Sequence, residues 1–128
     1  MNRNQVLKYV KEKYNTEPEY LWEDYPETAV LRHINGKKWY GIILNPLKSV
    51  LGINEDGKID VINLKCDPIW VSELKERDGA YQAYHMNKTH WITIALDGRF
   101  SDEDLKDLIE HSYQLTMNKK KRSNKSES

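Results

Sequence analysis

The sequence has a single cysteine, Cys66, and it has no long apolar run. One cysteine excludes an intrachain disulfide, which is typical of proteins from a reducing compartment. No stretch approaches the roughly 18 apolar residues that a membrane-spanning helix needs. The first residues also lack the apolar segment of a secretory signal. We therefore expect a soluble, cytoplasmic protein.

The sequence also lacks the short motifs of common enzyme and metal sites. GxGxxG, GxxxxGK[ST], GxSxG and HExxH are all absent, and one cysteine cannot form a zinc finger. We therefore predict no cofactor, no metal site and no phosphate-transfer chemistry. Cys66 precedes a helix start at Asp67, where a thiolate could act with a histidine. Its strand parity with Ile62 and Leu64 favours a small core residue instead.

Charge is abundant but unevenly distributed. Charged residues make up 31% of the chain, and the formal net charge is zero. The segment 119–128, KKKRSNKSES, holds five basic residues and one acid, so residues 1–118 carry a net charge of −4. This pattern predicts one folded domain over residues 1–118 and a basic, disordered tail over residues 119–128.

Hydrophobic periodicity predicts three helices and five strands. The helix patterns cover residues 2–14 and 68–77 and a final segment that Ser101 caps, and the strand patterns cover residues 28–34, 38–45, 49–53, 58–66 and 89–96. Asn35-Gly36 predicts a tight hairpin and residues 54–57 a further turn. A parity change at Val61 and Ile62 suggests a β-bulge. Residues 80–88 are predicted to be a loop.

The order of these elements is α-β-β-β-β-α-β-α. Because consecutive strands are joined by hairpin turns, the sheet should be antiparallel, with the helices on one face. The predicted fold class is therefore α+β, a two-layer sandwich.

A connector over residues 15–27 interleaves aromatic and acidic side chains. Pro18 and Pro26 interrupt any helix there. We expect its aromatic residues to fold over the core as a lid, and the alternative is an exposed surface for a partner.

Polar residues cluster near the ends of two predicted strands, where a rigid scaffold presents binding groups. Lysine, asparagine and histidine side chains there could contact phosphate oxygens, with the hairpin adding charge. The alternative is structural: these side chains could satisfy loop backbone groups or be solvated. The candidate residues are Arg32, Lys37, Lys38, Asn63, Lys65, His85, Asn87, Lys88 and His90.

Two long motifs resemble the MmcQ/YjbR-like family. They are NLKCDP at residues 63–68 and AYHMNKTHWITIAL at residues 83–96, followed by a helix ending near Ser112-Tyr113. EPEYLW at residues 17–22, Val30 with Arg32-His33, and Lys38-Trp39-Tyr40 resemble the same family's N-terminal half. The resemblance implies a CyaY-like fold and DNA binding through paired hairpin wings, and it implies no catalytic residues.

These observations predict a non-enzymatic binding module. The first hypothesis is weak, salt-dependent DNA binding through the Asn35-Gly36 hairpin, the turn at 54–57 and the basic tail. The alternative is a small-molecule or protein-partner site with a polar pocket around His85–His90, facing the connector at 20–25. A third hypothesis is an enzyme that uses Cys66 or His90.

Overall fold

The computed structural model describes residues 1–34, 36 and 38–117. The helices are α1 (Arg3–Tyr14), α2 (Pro68–Leu74) and α3 (Asp102–Leu115), and the strands are β1 (Ala29–Arg32), β2 (Trp39–Leu44), β3 (Val61–Lys65), β4 (Ala80–Gln82) and β5 (Trp91–Ala95). A short 3₁₀-helix, Lys48–Leu51, lies between β2 and β3. Within these residues no helix is both long enough and apolar enough to cross a bilayer.

The five strands form one sheet in the order β1-β2-β3-β5-β4, and every neighbouring pair is antiparallel. The three helices cover one face, where their apolar residues bury those of alternate strand positions. Examples are Val10 of α1 and Ile109 of α3, which join Ile62 and Ile94 of the sheet in one core. The predicted α+β two-layer fold is confirmed.

Side chains cap the N-termini of the three described helices, at Asn2, Asp67 and Ser101. The Asn2 carboxamide accepts from the Gln5 N–H at 2.8 Å, and the Gln5 side chain accepts from the Asn2 N–H. The Asp67 carboxylate accepts from the Ile69 N–H at 2.9 Å, and Ser101 caps α3. These side chains satisfy N–H groups that have no partner inside the helix.

One predicted strand is wrong and one observed strand was not predicted. Residues 49–53 lie in and after the 3₁₀-helix, because the Lys48 N–H donates to the Gly57 carbonyl and Gly52 adopts a left-handed φ of 81°. Leu51 and Ile53 still pack against the sheet, on a small cluster around Val61. The missing strand is β4, three residues inside the predicted loop 80–88, too short for a visible alternation.

The predicted bulge at Val61 and Ile62 is also wrong, since β3 pairs in continuous register with both neighbours. The irregularity lies between β1 and β2, where Leu31 pairs with Gly41 and Arg32 pairs with Trp39. Tyr40 is the extra residue, and its buried ring joins the helix-side core instead of the opposite face.

The predicted hairpin wings are only partly described. Asn35, Lys37 and the predicted tail at 119–128 lie outside the described residues. The turn at 54–57 joins no pair of strands; an isolated bridge between Leu47 and Lys58 is the sheet-like pairing found beside it. The chain therefore builds a compact loop here, against the sheet face that the helices leave uncovered.

A candidate ligand-binding groove on the open sheet face

The loop after β4 is held onto the open face of the sheet by two buried polar side chains. Asn63 of β3 and Thr93 of β5 are neighbours in register, and the Thr93 hydroxyl donates to the Asn63 carboxamide oxygen. The Asn63 amide donates to the Tyr84 carbonyl at 2.7 Å, and the Tyr84 N–H donates to the Thr93 hydroxyl at 2.9 Å. Both backbone groups of Tyr84 are therefore satisfied by side chains of the sheet.

Two other candidate residues of this loop also bind the chain itself. The Asn87 carboxamide accepts from the N–H groups of Thr89 and His90, at 2.8 and 3.1 Å. The Lys88 ammonium donates to the Ala83 carbonyl at 2.8 Å. For Asn63, Asn87 and Lys88, the structural alternative therefore accounts for the polar contacts that the loop makes.

The remaining candidate cations do not converge on one site. The Arg32 guanidinium binds the Glu19 carboxylate with two hydrogen bonds of 2.9 and 3.2 Å. Lys38 is exposed, whereas Lys65 is half-buried at the end of β3 and pairs in register with Trp91. His90 is exposed and lies outside the groove described below. Lys37 lies outside the described residues.

His85 is the most unusual candidate residue in the loop. It has a left-handed backbone with φ of 63°, which is uncommon for a residue that carries a side chain. Its exposed ring lies against the Tyr84 ring, with 3.9 Å between centroids. Strained residues at the edge of a cavity often serve a function, and His85 lies beside two cavities.

The larger cavity is a groove of about 660 Å³ on the open sheet face. Its floor includes Ile42, Leu44 and Asn63. Three segments form its walls: the connector before β1, the segment around the 3₁₀-helix, and the loop after β4. The wall residues include Trp22, Tyr25, Leu47, Val50, Tyr84, His85 and Met86, and Trp39 at the start of β2 also lines the groove.

The groove wall residues are unusually exposed for their type. Tyr25 is 66% exposed, and Leu47 and Val50 are each 51% exposed. Soluble proteins rarely leave adjoining apolar side chains in water unless they bind something there. The expectation that the connector forms a lid over the core is therefore wrong for Trp22 and Tyr25. Their exposure agrees with the alternative of a surface that meets a partner or ligand.

The charged residues that line the groove are few. Asp24 and Glu27 belong to the connector and are exposed, whereas Lys58 belongs to the segment before β3. His85 adds an imidazole ring. Most of the interior is thus apolar or aromatic, and acids are the majority among the ionised groups.

The second cavity, of about 470 Å³, lies beside the edge strand β4. Its walls come from the 3₁₀-helix, the end of α2 and the loop after β4. His85 and Lys88 line this cavity, so the structure brings these two candidate residues together, and His85 with Asn63 in the larger groove.

Two further observations concern the cysteine and the groups that could hold a metal ion. Cys66 is 1% exposed, and burial raises the pKa of its thiol to about 11, so the reactive thiolate is disfavoured. Within residues 1–34, 36 and 38–117, no three histidine, cysteine or acidic side chains are grouped as a metal site would require.

Sequence reasoning found the loop and the connector but missed the floor of the groove. Both faces of this strand are largely apolar in the sequence, which is typical of a strand covered on both sides and gives no sign of a groove at Ile42 and Leu44. The feature of the sequence that could have indicated the groove is the connector, in which Trp22 and Tyr25 are close in sequence to acidic residues. Aromatic residues that stay near charged ones in sequence are candidates for an exposed apolar wall.

The chain matches the family model described as YjbR over residues 11–115. It is 45% identical to the uncharacterized protein YyaQ of Bacillus subtilis, over 91% of this chain and 98% of that protein. A crystal structure of a Pseudomonas syringae protein, 45% identical, has a TM-score of 0.88 and covers 91% of this chain and 99% of that one. A Deinococcus radiodurans protein is 27% identical, with a TM-score of 0.69 over 93% of this chain and 81% of that one.

Proposed function

This chain belongs to the YjbR family, whose curated relatives are named as uncharacterized. From the geometry of the groove, we propose that it is a non-enzymatic protein that binds a small organic molecule. The ligand would lie on the open face of the sheet. Its apolar body would contact Ile42, Leu44 and the aromatic walls.

The observation that carries this proposal is the coincidence of shape and exposure. The groove volume of about 660 Å³ falls within the range of small-molecule sites. Its walls are large apolar side chains that are costly to leave in water. The groove also lies between the His85 loop and the connector, where the small-molecule hypothesis requires a concave surface.

The polar groups in the groove suit recognition better than catalysis. The Asn63 carboxamide and the Thr93 hydroxyl already bind each other and Tyr84. Cys66 belongs to the helix-side core and therefore cannot supply a nucleophile to this face. A site with an apolar body and few polar groups is typical of a binding protein.

DNA binding remains a competing prediction with weaker support. Arg32 is neutralised by Glu19, and the groove carries the acids Asp24 and Glu27, which would repel phosphates. The cations that could favour DNA include Lys37 and the tail at 119–128, which the structure does not describe. Salt-sensitive retardation of duplex DNA by the full chain, lost on removal of residues 119–128, would assign that binding to the tail.

Amide chemical-shift mapping with a neutral aromatic probe tests the proposal. Titration of the full chain with para-tert-butylphenol should shift the amides of Ile42, Asn63 and Met86. Trp22→Ala should weaken this binding at least about fivefold, since a Trp side chain supplies about 2 kcal/mol of apolar contact.

The matched control for that variant is Trp70→Ala. Trp70 lies on α2, outside the groove, and is 43% exposed against 39% for Trp22. The control should bind the probe like the parent chain. If the probe shifts no groove amide, or if both variants lose affinity equally, the groove is not the binding site.

A further inference from the structure

We infer that the groove selects an organic cation, in which a substituted ammonium group is attached to an apolar body. This inference rests on the proposed function, because it names the class of ligand for the same groove. It is carried by two independent features of the walls: their aromatic faces and the sign of their charge.

The aromatic residues of the groove form a corner. The Trp22 and Trp39 rings are nearly perpendicular, with 83° between their planes and 5.9 Å between their centroids. Tyr25 and Tyr84 line the same groove. Aromatic faces attract cations through the negative charge of the ring face, and groups of such faces recognise substituted ammonium ions.

The guanidinium group of Arg32 already lies over one of these aromatic rings, that of Trp39. The Arg32 guanidinium carbon lies 5.8 Å from the Trp39 ring centroid, within the range of a cation–π contact. Glu19 holds that guanidinium in place with two hydrogen bonds. Because Glu19 neutralises this guanidinium, Arg32 adds little net charge that would repel a ligand cation at the Trp22 ring.

The ionised groups of the connector have the complementary sign. Asp24 and Glu27 line the groove on the same segment as Trp22 and Tyr25, so acids and aromatic rings come from one stretch of chain. Lys58 lies on a different segment, next to its bridge partner Leu47. A ligand with a cationic end toward the connector and an apolar body toward Leu47 would satisfy both regions.

Two probes of nearly equal shape test the inference. Para-hydroxyphenyltrimethylammonium carries a positive charge where para-tert-butylphenol carries none. The full chain should bind the ammonium probe at least about fivefold more tightly, which is the scale of a partly desolvated cation–π and ion-pair contribution. The double variant Asp24→Asn, Glu27→Gln should lower the affinity for the ammonium probe much more than the affinity for para-tert-butylphenol, and so remove most of this preference.

The outcomes separate the inference from the proposed function. Equal affinity for the two probes, both shifting groove amides, would overturn the cation preference and support the groove as a site. A preference that survives the double variant and Trp22→Ala would place the cation elsewhere and overturn the inference. If neither probe shifts the groove amides, both proposals fall, and the exposed apolar walls would instead suit a protein partner. Glu73→Gln, an exposed acid of α2, is the control and should retain the preference.

Discussion

The hydroxyl of Ser112 on α3 donates to the carbonyl oxygen of Tyr40 on β2, 2.5 Å away. The same hydroxyl accepts from the Lys65 N–H of β3 at 2.9 Å. The register of β2 with β3 ends at Gly41 and Leu64, and the Ser112 hydroxyl bridges the two backbones at the next position, between Tyr40 and Lys65. A helix residue thereby completes the hydrogen bonding of the sheet.

Replacing Ser112 by alanine should therefore destabilise the protein by about 1–3 kcal/mol, because one buried carbonyl and one partly buried N–H lose this partner. Urea unfolding followed by circular dichroism would measure the change in free energy of unfolding. Ser72→Ala is the matched control, since Ser72 is exposed on α2 and should change stability by less than about 0.5 kcal/mol. Equal stability of the two variants would contradict the bridging role of Ser112.

The Ser112 bridge also shows where sequence reasoning ends. Alternation predicted the strand around Ile42, and Asp67 and Ser101 predicted helix starts, because these signals are local. The hydrogen bond from Ser112 to Tyr40 joins residues 72 positions apart, and no local pattern reveals such a contact. At Leu51, likewise, the spacing of apolar residues did not distinguish the predicted strand from the 3₁₀-helix that the structure has.

The candidate site was predictable to a similar extent. The polar cluster drew attention to the loop that carries His85, and this loop does line the groove. The sequence pattern does not show that the Asn63 carboxamide donates to the Tyr84 carbonyl instead of facing a ligand. It also could not place Trp22 beside Trp39, because that contact depends on how the connector crosses the sheet.

Asn63 and Thr93 should behave as one unit in mutagenesis. Asn63→Ala and Thr93→Val each leave polar atoms at Tyr84 without a partner, at a cost of about 1–3 kcal/mol. The double variant should cost less than the sum by at least about 0.5 kcal/mol, since the two side chains share one network. Urea unfolding of all four proteins would measure this coupling, and strictly additive losses would contradict it.

His111 predicts a specific dependence of stability on pH. Its Nε2 accepts from the Asp67 N–H at 3.1 Å, and Trp70 stacks on the ring at 4.0 Å. Burial lowers the pKa of His111 below its ordinary value, although the Asp67 carboxylate opposes that shift. The unfolded chain therefore takes up a proton more readily than the folded one as the pH falls below about 6.5.

The contribution of His111 to the free energy of unfolding is fully present above about pH 6.5. It is lost as the pH falls toward the lowered pKa that His111 has in the folded state. Burial also lowers the pKa of His33, which acts in the same direction. His111→Gln should thus reduce, and not abolish, the loss of unfolding free energy between about pH 7.5 and about pH 5.5. Urea titrations at the two pH values would measure it, and an unchanged loss would show that His111 does not contribute.

His85 and Asn15 allow backbone strain to be separated from ligand binding. Both have a left-handed backbone, with φ of 63° and 57°, but Asn15 ends α1 and His85 lines the groove. Glycine relieves about 1–2 kcal/mol of this strain and costs about 0.5–1 kcal/mol in unfolded-chain entropy. His85→Gly should therefore leave stability unchanged or raise it by up to about 1.5 kcal/mol. Asn15→Gly should gain less, because asparagine tolerates this conformation.

Binding should distinguish the same two variants. His85→Gly removes a ring from the groove wall and frees Tyr84 from its neighbour, so the affinity for the aromatic probes should fall at least about threefold. Asn15→Gly should bind the probes like the parent chain. If the His85→Gly protein is more stable and binds the probes equally well, the left-handed conformation at residue 85 is needed only for the conformation of the loop and not for binding. Weaker binding without loss of stability would show that the strained residue is retained for the groove.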